Sequence, residues 1–488
     1  MKHIVIVGGG YAGLYTAWTL ERRLHRREAR VTIVDPRPYM TYQPFLPEVA
    51  AGGVEARHAV VSLRRHLRRT RVIGGWVTKV SHADRYVEVT LPDGAVRTET
   101  YDELVVTAGA VTRTFAIPGL LENAIGLKQI EEAVAIRNSI LTSFDRAAGL
   151  PAGPERARLL TVTFVGGGFT GVEGFGETLS FAHALLRRYR EIRRDELAFH
   201  LVEATDRILP EVGPGPGQWV VQHLRSRGGQ VHLQTQLQSA VDGHVVLSDG
   251  QEYDSGLIVW TAGNGANPVV AKHTDLPLDE LGYITVGPDL RVVDLRQQPE
   301  GEVVEHAWAA GDDASVPDLA SPTPGVRTVP NAQHAVRQGK VLGANLVEAI
   351  RGGTPRPYVH HSLGVVATLG VGHGIFQYRR IVIKGLLAWL MHRGYHVLAV
   401  PSWERKIRVL LIWLGQALAG RDIVSLADIA EPRDAFVRGG VPRPQVDRAP
   451  AVTRADRRDG EDGVVDPGVT GTTVDPRGAL SPSNRTTS

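Results

Sequence analysis

Apolar and polar positions along the chain spell one phrase twice. Ile4 to Val7 is a β-branched run without a polar break, the pattern of a strand buried on both faces, and it stops at Gly8, Gly9 and Gly10. Beyond Gly13 the apolar spacing becomes helical, from Leu14 to Leu20. RVTIVD reads as a second strand ending in Asp35, and YDELVVTAGA, Tyr101 to Ala110, as a buried strand ending in small residues, among them Ala108 and Gly109. Between them lie a Pro- and Gly-punctuated loop at 40–53, a basic stretch from Arg57 to Arg71 expected to be helical, and short strand patterns at 72–80 and 85–91. The phrase then returns. LLTVTFVGGGFTGVE runs from Leu159 to Glu173, LAFHLVE ends in Glu203, and YDSGLIVWTAG closes at Gly263. Two glycine turns, two acids and two Thr-Ala-Gly strand ends in one order predict a duplicated nucleotide-binding fold.

HAWAAGDDA, His306 to Ala314, reads as a short strand running into Gly311 and Asp312. Pro330 to Ile350 reads as a helix, with Pro330 near its start and Gly352 and Gly353 stopping it. Residues 355–436 mix short strands with apolar helices. From Val441 the composition changes to Pro, Gly, Thr and Asp, with no aromatic residue and a single leucine, so 437–488 is expected to be a disordered tail.

The glycines carry the first chemistry. In G-x-G-x-x-G, Gly8 makes the tight turn, Gly10 lets a pyrophosphate approach the backbone, and Gly13 lets helix and strand pack closely. The helix N-terminus then offers free N–H groups to the phosphates. Asp35 stands where a carboxylate accepts hydrogen bonds from an adenosine ribose. Gly166, Gly168 and Gly171 repeat the spacing.

Composition narrows the possibilities. A chain of 488 residues needs two or more cores. A formal charge of +3 makes no electrostatic case for nucleic acid. The absence of cysteine excludes disulfides, thiolate metal sites, iron–sulfur clusters and any redox-active cysteine pair. An apolar strand beginning at Ile4 leaves no room for a signal peptide, which gives the expectation of a cytoplasmic protein.

With these residues the chain resembles flavoproteins with two dinucleotide-binding domains and, within them, the type II NADH dehydrogenases (NADH:quinone oxidoreductases). The broader likeness is carried by the two glycine motifs, the Thr-Ala-Gly ends and AGDD at 310–313. The narrower one is carried by QPFLPEVAAG at 43–52, GLKQIEEAVAIRNSIL at 126–141, VWTAGNGANP at 259–268 and AQHAVRQG at 332–339. It implies an α/β fold of two Rossmann-like dinucleotide-binding domains plus a C-terminal amphipathic membrane-docking region. The FAD domain would be discontinuous, 1–118 and 264–350, with the NADH domain, 119–263, inserted. The C-terminal membrane-associated region would span 351–436.

The resemblance also distributes roles. Gly8, Gly10, Gly13, Asp35, Ala108, Gly109, Gly311 and Asp312 would hold FAD, although Asp312 reads equally as a helix N-cap. Ala332 and Gln333 would lie beside the flavin ring, where a helix N-terminus stabilises negative charge accumulating on reduction. Gln333 and Gln338 are candidate catalytic residues, or ordinary polar helix residues. Gly166, Gly168, Gly171, Glu203 and Gly263 would hold NADH, Glu203 taking the ribose and Arg207 softening its repulsion of NADPH. Glu173 would face the nicotinamide or serve a proton route, or simply stabilise a first helical turn. One departure stands out: where the family carries Asp-Lys-Gly before a strand, Ser362-Leu363 stands here, with His360 and His361 as possible substitutes.

Residues 379–421 bear on the partner. Charges interrupt every apolar run well short of the roughly 20 residues of a spanning helix. Eight basic residues stand against one acid, Glu404, with Trp389, Tyr395, Trp403 and Trp413 among them. That pattern suits helices lying in a membrane surface, each cation near anionic lipid contributing on the order of 1 kcal/mol. A dimer interface or buried helix pair is the alternative. The expectation is a non-proton-pumping peripheral enzyme on the cytoplasmic face of the cell membrane. It would pass a hydride from NADH to FAD and two electrons to menaquinone or ubiquinone, with a homodimer compatible. A soluble reductase of a carrier protein, or a nucleotide-responsive scaffold with little turnover, are the rival readings.

Overall fold

The computed structural model describes residues 1–296, 301–362, 364–426 and the isolated positions 433, 436 and 437. Leu363 and nearly all of the expected tail lie outside them. Residues 1–429 form one compact unit, and 430–488 a second of which only those three positions are described.

The chain begins with β1 (Lys2–Val7), the glycine turn, α1 (Tyr11–Arg23) and β2 (Ala29–Asp35). Ile4, Val5 and Ile6 are fully buried, as an uninterrupted apolar strand requires. The short helix α2 (Leu46–Ala50) follows in the loop. Arg57 to Arg71 is not the expected helix. A 3₁₀ turn at Ala56–His58 leads into a strand, Val60–Ser62, and one helical turn, Leu63–His66. The β-branched Val60 and Val61 pair with Thr41 and Met40 of an antiparallel strand, and burial of Val61 outweighs the helical preference of its neighbours. Then come β3 (Arg71–Gly74) and β4 (Glu103–Val106).

Within the same compact unit, the second glycine-turn half comprises β5 (Ala124–Gly126), α3 (Ile130–Ala148), β6 (Thr161–Val165), α4 (Phe169–Leu185), β7 (Ala198–Val202), β8 (Gly229–His232) and β9 (Leu257–Trp260). Its sheet is wholly parallel, in the order β5-β9-β6-β7-β8. The chain then returns to the first sheet with β10 (Arg291–Asp294) and β11 (Glu302–Ala309), completing the order β10-β11-β4-β1-β2-β3, in which only β10 runs antiparallel. Exit and return paths lie side by side, Ala110–Thr112 pairing antiparallel with Asn264–Ala266.

The helix α5 (Ala332–Ile350) starts at Asn331, whose side chain accepts a hydrogen bond from the His334 N–H at 2.9 Å. It packs on α1 through Gly339 and Gly343. A Cβ on Gly339 would stand 2.4 Å from the Ala12 carbonyl oxygen, so this close approach excludes any side chain there. A three-stranded antiparallel sheet follows, β12 (Val365–Thr368), β13 (Gly374–Tyr378) and β14 (Ile381–Lys384), and then helices α6 (Leu386–Ala399) and α7 (Trp403–Ala419). In α7 Val409 alone is buried, while Trp403 is 77% and Leu418 83% exposed. No helix among the described residues is long and apolar enough to cross a membrane.

Candidate active site

The two glycine turns have the same geometry. Gly8 and Gly166 adopt φ of +96° and +114°, where a side chain is strained. A Cβ on Gly13 would lie 1.9 Å from the Gly8 carbonyl oxygen, and one on Gly171 the same distance from that of Gly166. A Cβ on Gly10 or Gly168 would meet nothing within 4 Å. The outer glycines are therefore demanded by folding, whereas the middle ones leave a cradle that fits a dinucleotide pyrophosphate. Each turn is tied to a neighbouring strand by a threonine: the Thr107 hydroxyl donates to the carbonyls of Val7 and Gly8, and that of Thr261 to those of Val165 and Gly166.

The acids repeat as well. Asp35 accepts from the Gly9 N–H at 2.6 Å and the Arg37 N–H at 2.8 Å, while Glu203 accepts from the Gly167 N–H at 2.6 Å and the Thr205 N–H at 2.8 Å. A carboxylate has about four lone-pair sites, so each acid braces its turn and keeps acceptor capacity for a ribose. Burial raises the pKa of Asp35, against those amide hydrogen bonds.

Asp312 heads no helix, so the N-cap reading fails; it sits in a turn before Ala314–Ser315 and lines the main cavity. Its neighbour Asp313, unremarked in the sequence, is fully buried and accepts from the Ala108 N–H at 2.5 Å. Burial pushes its pKa up to about 7. Gln338 is buried and does not line the cavity. Its carbonyl accepts from the Gly311 N–H at 2.8 Å and its amide donates to the Thr328 hydroxyl at 3.0 Å, so it holds the Gly311 turn in place.

One cavity of about 1330 Å³ joins both glycine-turn halves and the C-terminal helix α6. Gly166, Gly168, Glu203 and Gly263 wall one side, Asp312, Ala332 and Gln333 another, and Tyr395, His396 and Leu398 of α6 a third. Gly8, Gly10, Gly13, Asp35, Ala108, Gly109, Gly171 and Gly311 stand outside its wall, although Tyr11, next to Gly10, reaches it. Lys128, also missed, lines it with its ammonium 2.9 Å from Asn264 Oδ1; burial lowers its pKa and Asp312 opposes that shift. Glu173 lines it too, but lies beyond the first turn of α4. Its Oε1 accepts from the Thr368 N–H at 3.0 Å and lies 3.1 Å from His392 Nε2, so it joins α4 to β12 and α6 rather than capping its own helix.

A duplicated glycine-turn fold with one shared cavity defines a protein of the two-dinucleotide-domain class. The chain belongs to the pyridine nucleotide-disulphide oxidoreductase family, whose model matches residues 2–339. It is 28% identical over 433 residues to a probable NADH dehydrogenase of Dictyostelium discoideum, covering 87% of this chain and 91% of that one. It is 27% identical to the type II NADH:quinone oxidoreductase Ndh of Mycobacterium tuberculosis, covering 86% and 88%. Its fold matches NDH2 of Plasmodium falciparum, solved in complex with NADH, with a TM-score of 0.78 at 18% identity, over 87% of this chain and 99% of that one.

Proposed function

We propose that this chain is a type II NADH:quinone oxidoreductase working at a membrane surface. The observation that carries the reading is the continuity of the cavity from the second glycine turn and Glu203 to α6, whose Leu386, Leu387, Leu390 and Leu398 are exposed. Relatives named as NADH dehydrogenases and NADH:quinone oxidoreductases support it along most of the chain. When bound, FAD accepts the hydride of NADH and passes two electrons to the quinone.

The chain's own residues divide the remaining tasks. Residues 1–118 and 264–350 form the FAD domain, with Gly10 open to the pyrophosphate, Asp35 to the ribose and Asp312 to the cofactor's middle. Residues 119–263 form the NADH domain, with Gly168 open to the pyrophosphate and Glu203 accepting from the ribose hydroxyls, which disfavours a 2′-phosphate. The N-terminus of α5 brings Ala332 and Gln333 to the cavity with the positive end of the helix dipole, where negative charge is stabilised. Hydride transfer needs close contact and exclusion of water, and the cavity walled by both glycine-turn halves is where the two cofactors would meet.

The region 351–436 docks on the cytoplasmic face of the membrane. Ile407, Leu410, Leu411, Leu414 and Leu418 of α7 are exposed, and burial in lipid removes that surface from water. Turnover with bilayer-embedded quinone tests the reading. The purified protein in quinone-containing vesicles is expected to oxidise NADH faster than NADPH while quinol accumulates one for one. NADH oxidation that leaves the quinone unreduced would contradict it.

A further inference from the structure

At and behind the cavity wall α2, α4 and α6 bury three carboxylates, Glu173 lining the cavity and Glu48 and Glu177 behind it. Two of them have guanidinium partners. Glu48 Oε2 lies 3.4 Å from Arg393 and accepts from the Trp413 indole at 2.9 Å, while Glu177 accepts from Arg421 at 3.0 Å and from the Thr368 hydroxyl at 2.8 Å. Arg227, which feels the charge of Glu177, is bonded to Ser180 and the Leu369 carbonyl. Glu173 has no guanidinium within ion-pair reach among the described residues. Its one cationic partner there is His392, with Nε2 at 3.1 Å from Oε1.

His392 is fully buried, and neither ring nitrogen makes a hydrogen bond to a described residue, its 3.1 Å approach to Glu173 being an ion-pair contact outside hydrogen-bond geometry. A buried polar group left without a hydrogen bond is costly, so this imidazole is poorly explained as neutral packing. Burial opposes its charge, but the carboxylates of Glu173, Glu48 and Glu177 outweigh burial and raise its pKa above the ordinary value. One turn along the same helix, His396 stands with its ring centroid 4.4 Å away and its Nδ1 3.0 Å from the Tyr42 hydroxyl. Burial, reinforced by His392, holds His396 far below the ordinary pKa. The two shifts run in opposite directions, so His392, the ring facing Glu173, is the one of the pair that favours the charged form.

We propose that His392 is a positioning residue that keeps a transferable proton against Glu173, at the cavity wall, for delivery to the quinone. The proposal rests on the functional reading above. Reducing a quinone to a quinol takes two electrons and two protons. The hydride of NADH carries both electrons and one proton, so a second proton must enter from solvent. In the proposed step the Nε2–H bond of the imidazolium breaks toward Glu173, and Glu173 gives its proton to a quinone oxygen. Neutral His392 is then reprotonated from solvent. The proton is stored in advance rather than awaited.

Anaerobic stopped-flow on the FAD-loaded enzyme, in weak buffer with a pH indicator, tests this. Enzyme reduced by one equivalent of NADH is mixed with a short-chain quinone. In the wild type, recovery of the flavin colour is expected to precede proton uptake from solution. In His392→Gln, bleaching by NADH is expected within about twofold of wild type, while recovery by quinone slows about a hundredfold, as for loss of a proton donor. The lag also vanishes, and the recovery rate declines from a lower pH. A variant with the wild-type rate, lag and pH profile overturns the proposal. If the variant does not fold, simultaneous colour recovery and proton uptake in the wild type overturns it alone. A wild type that quinone does not reoxidise refutes the functional reading instead.

Discussion

Gly10 and Gly13 are neighbours in one motif but answer to different demands. A Cβ on Gly13 collides with a carbonyl that no rotamer change can move, while one on Gly10 enters open space. Gly13→Ala is therefore expected to lower stability by about 1–3 kcal/mol or more, as overpacking does, seen as a lower Tm of the protein freed of FAD. Gly10→Ala should keep that Tm and weaken FAD binding at least about tenfold, since the pyrophosphate loses its close approach. Equal Tm losses in both would remove the distinction. Asp313 makes a pH-dependent prediction. Burial raises its folded pKa to about 7, well above the ordinary aspartate value. The folded state thus holds a proton that the unfolded state releases, so this group's contribution to stability falls as pH rises from about 4 through 7. Asp313→Asn keeps an acceptor for the Ala108 N–H and should narrow the Tm difference between pH 5 and pH 8; an unchanged difference would contradict this. At this scale the sequence was partly legible. Spacing picked out the six glycines and both strand-ending acids, because a motif fixes local backbone. It could not separate Asp312 from Asp313, or turn Gln338 from a candidate catalytic group into a brace for Gly311, because those assignments depend on partners distant in sequence.

At the scale of elements, periodicity recovered the strands and helices that carry the cavity and failed at the basic stretch from Arg57 to Arg71. There Val60 and Val61 found a strand partner in Tyr39–Thr41, a pairing that no local pattern announces. The C-terminal helices were legible in character, and the structure adds which side chains stay unpartnered. Leu411 and Leu418 are both exposed on α7. Replacing both with glutamate should reduce partition onto anionic phospholipid vesicles about tenfold or more, since each buried leucine contributes on the order of 1.5–3 kcal/mol and the added charges oppose the lipid. Bleaching by NADH should be unaffected. Vesicle sedimentation equal to wild type would remove α7 from the membrane contact. The histidines His392 and His396 carried no signal beyond their one-turn spacing. Their place behind Glu173 depends on how α6 packs against α4 and β12.

For the whole molecule, the duplication was legible because the same physical demands recur in both halves: a glycine turn, a threonine tie and an acid brace. The sequence could not show that the two halves and the C-terminal helix wall one cavity, which is a property of how the units pack. That cavity is the centre of the account, since it brings the nucleotide side and the apolar side together. Sequential mixing tests this most directly. The anaerobic FAD-loaded protein is mixed first with NADH and then, once the flavin band has bleached, with a short-chain quinone. Rapid bleaching by NADH, slower bleaching by NADPH, and prompt recovery of the band with one quinol formed per NADH are expected. Bleaching that quinone does not reverse would mean that the apolar side of the cavity is not a quinone site.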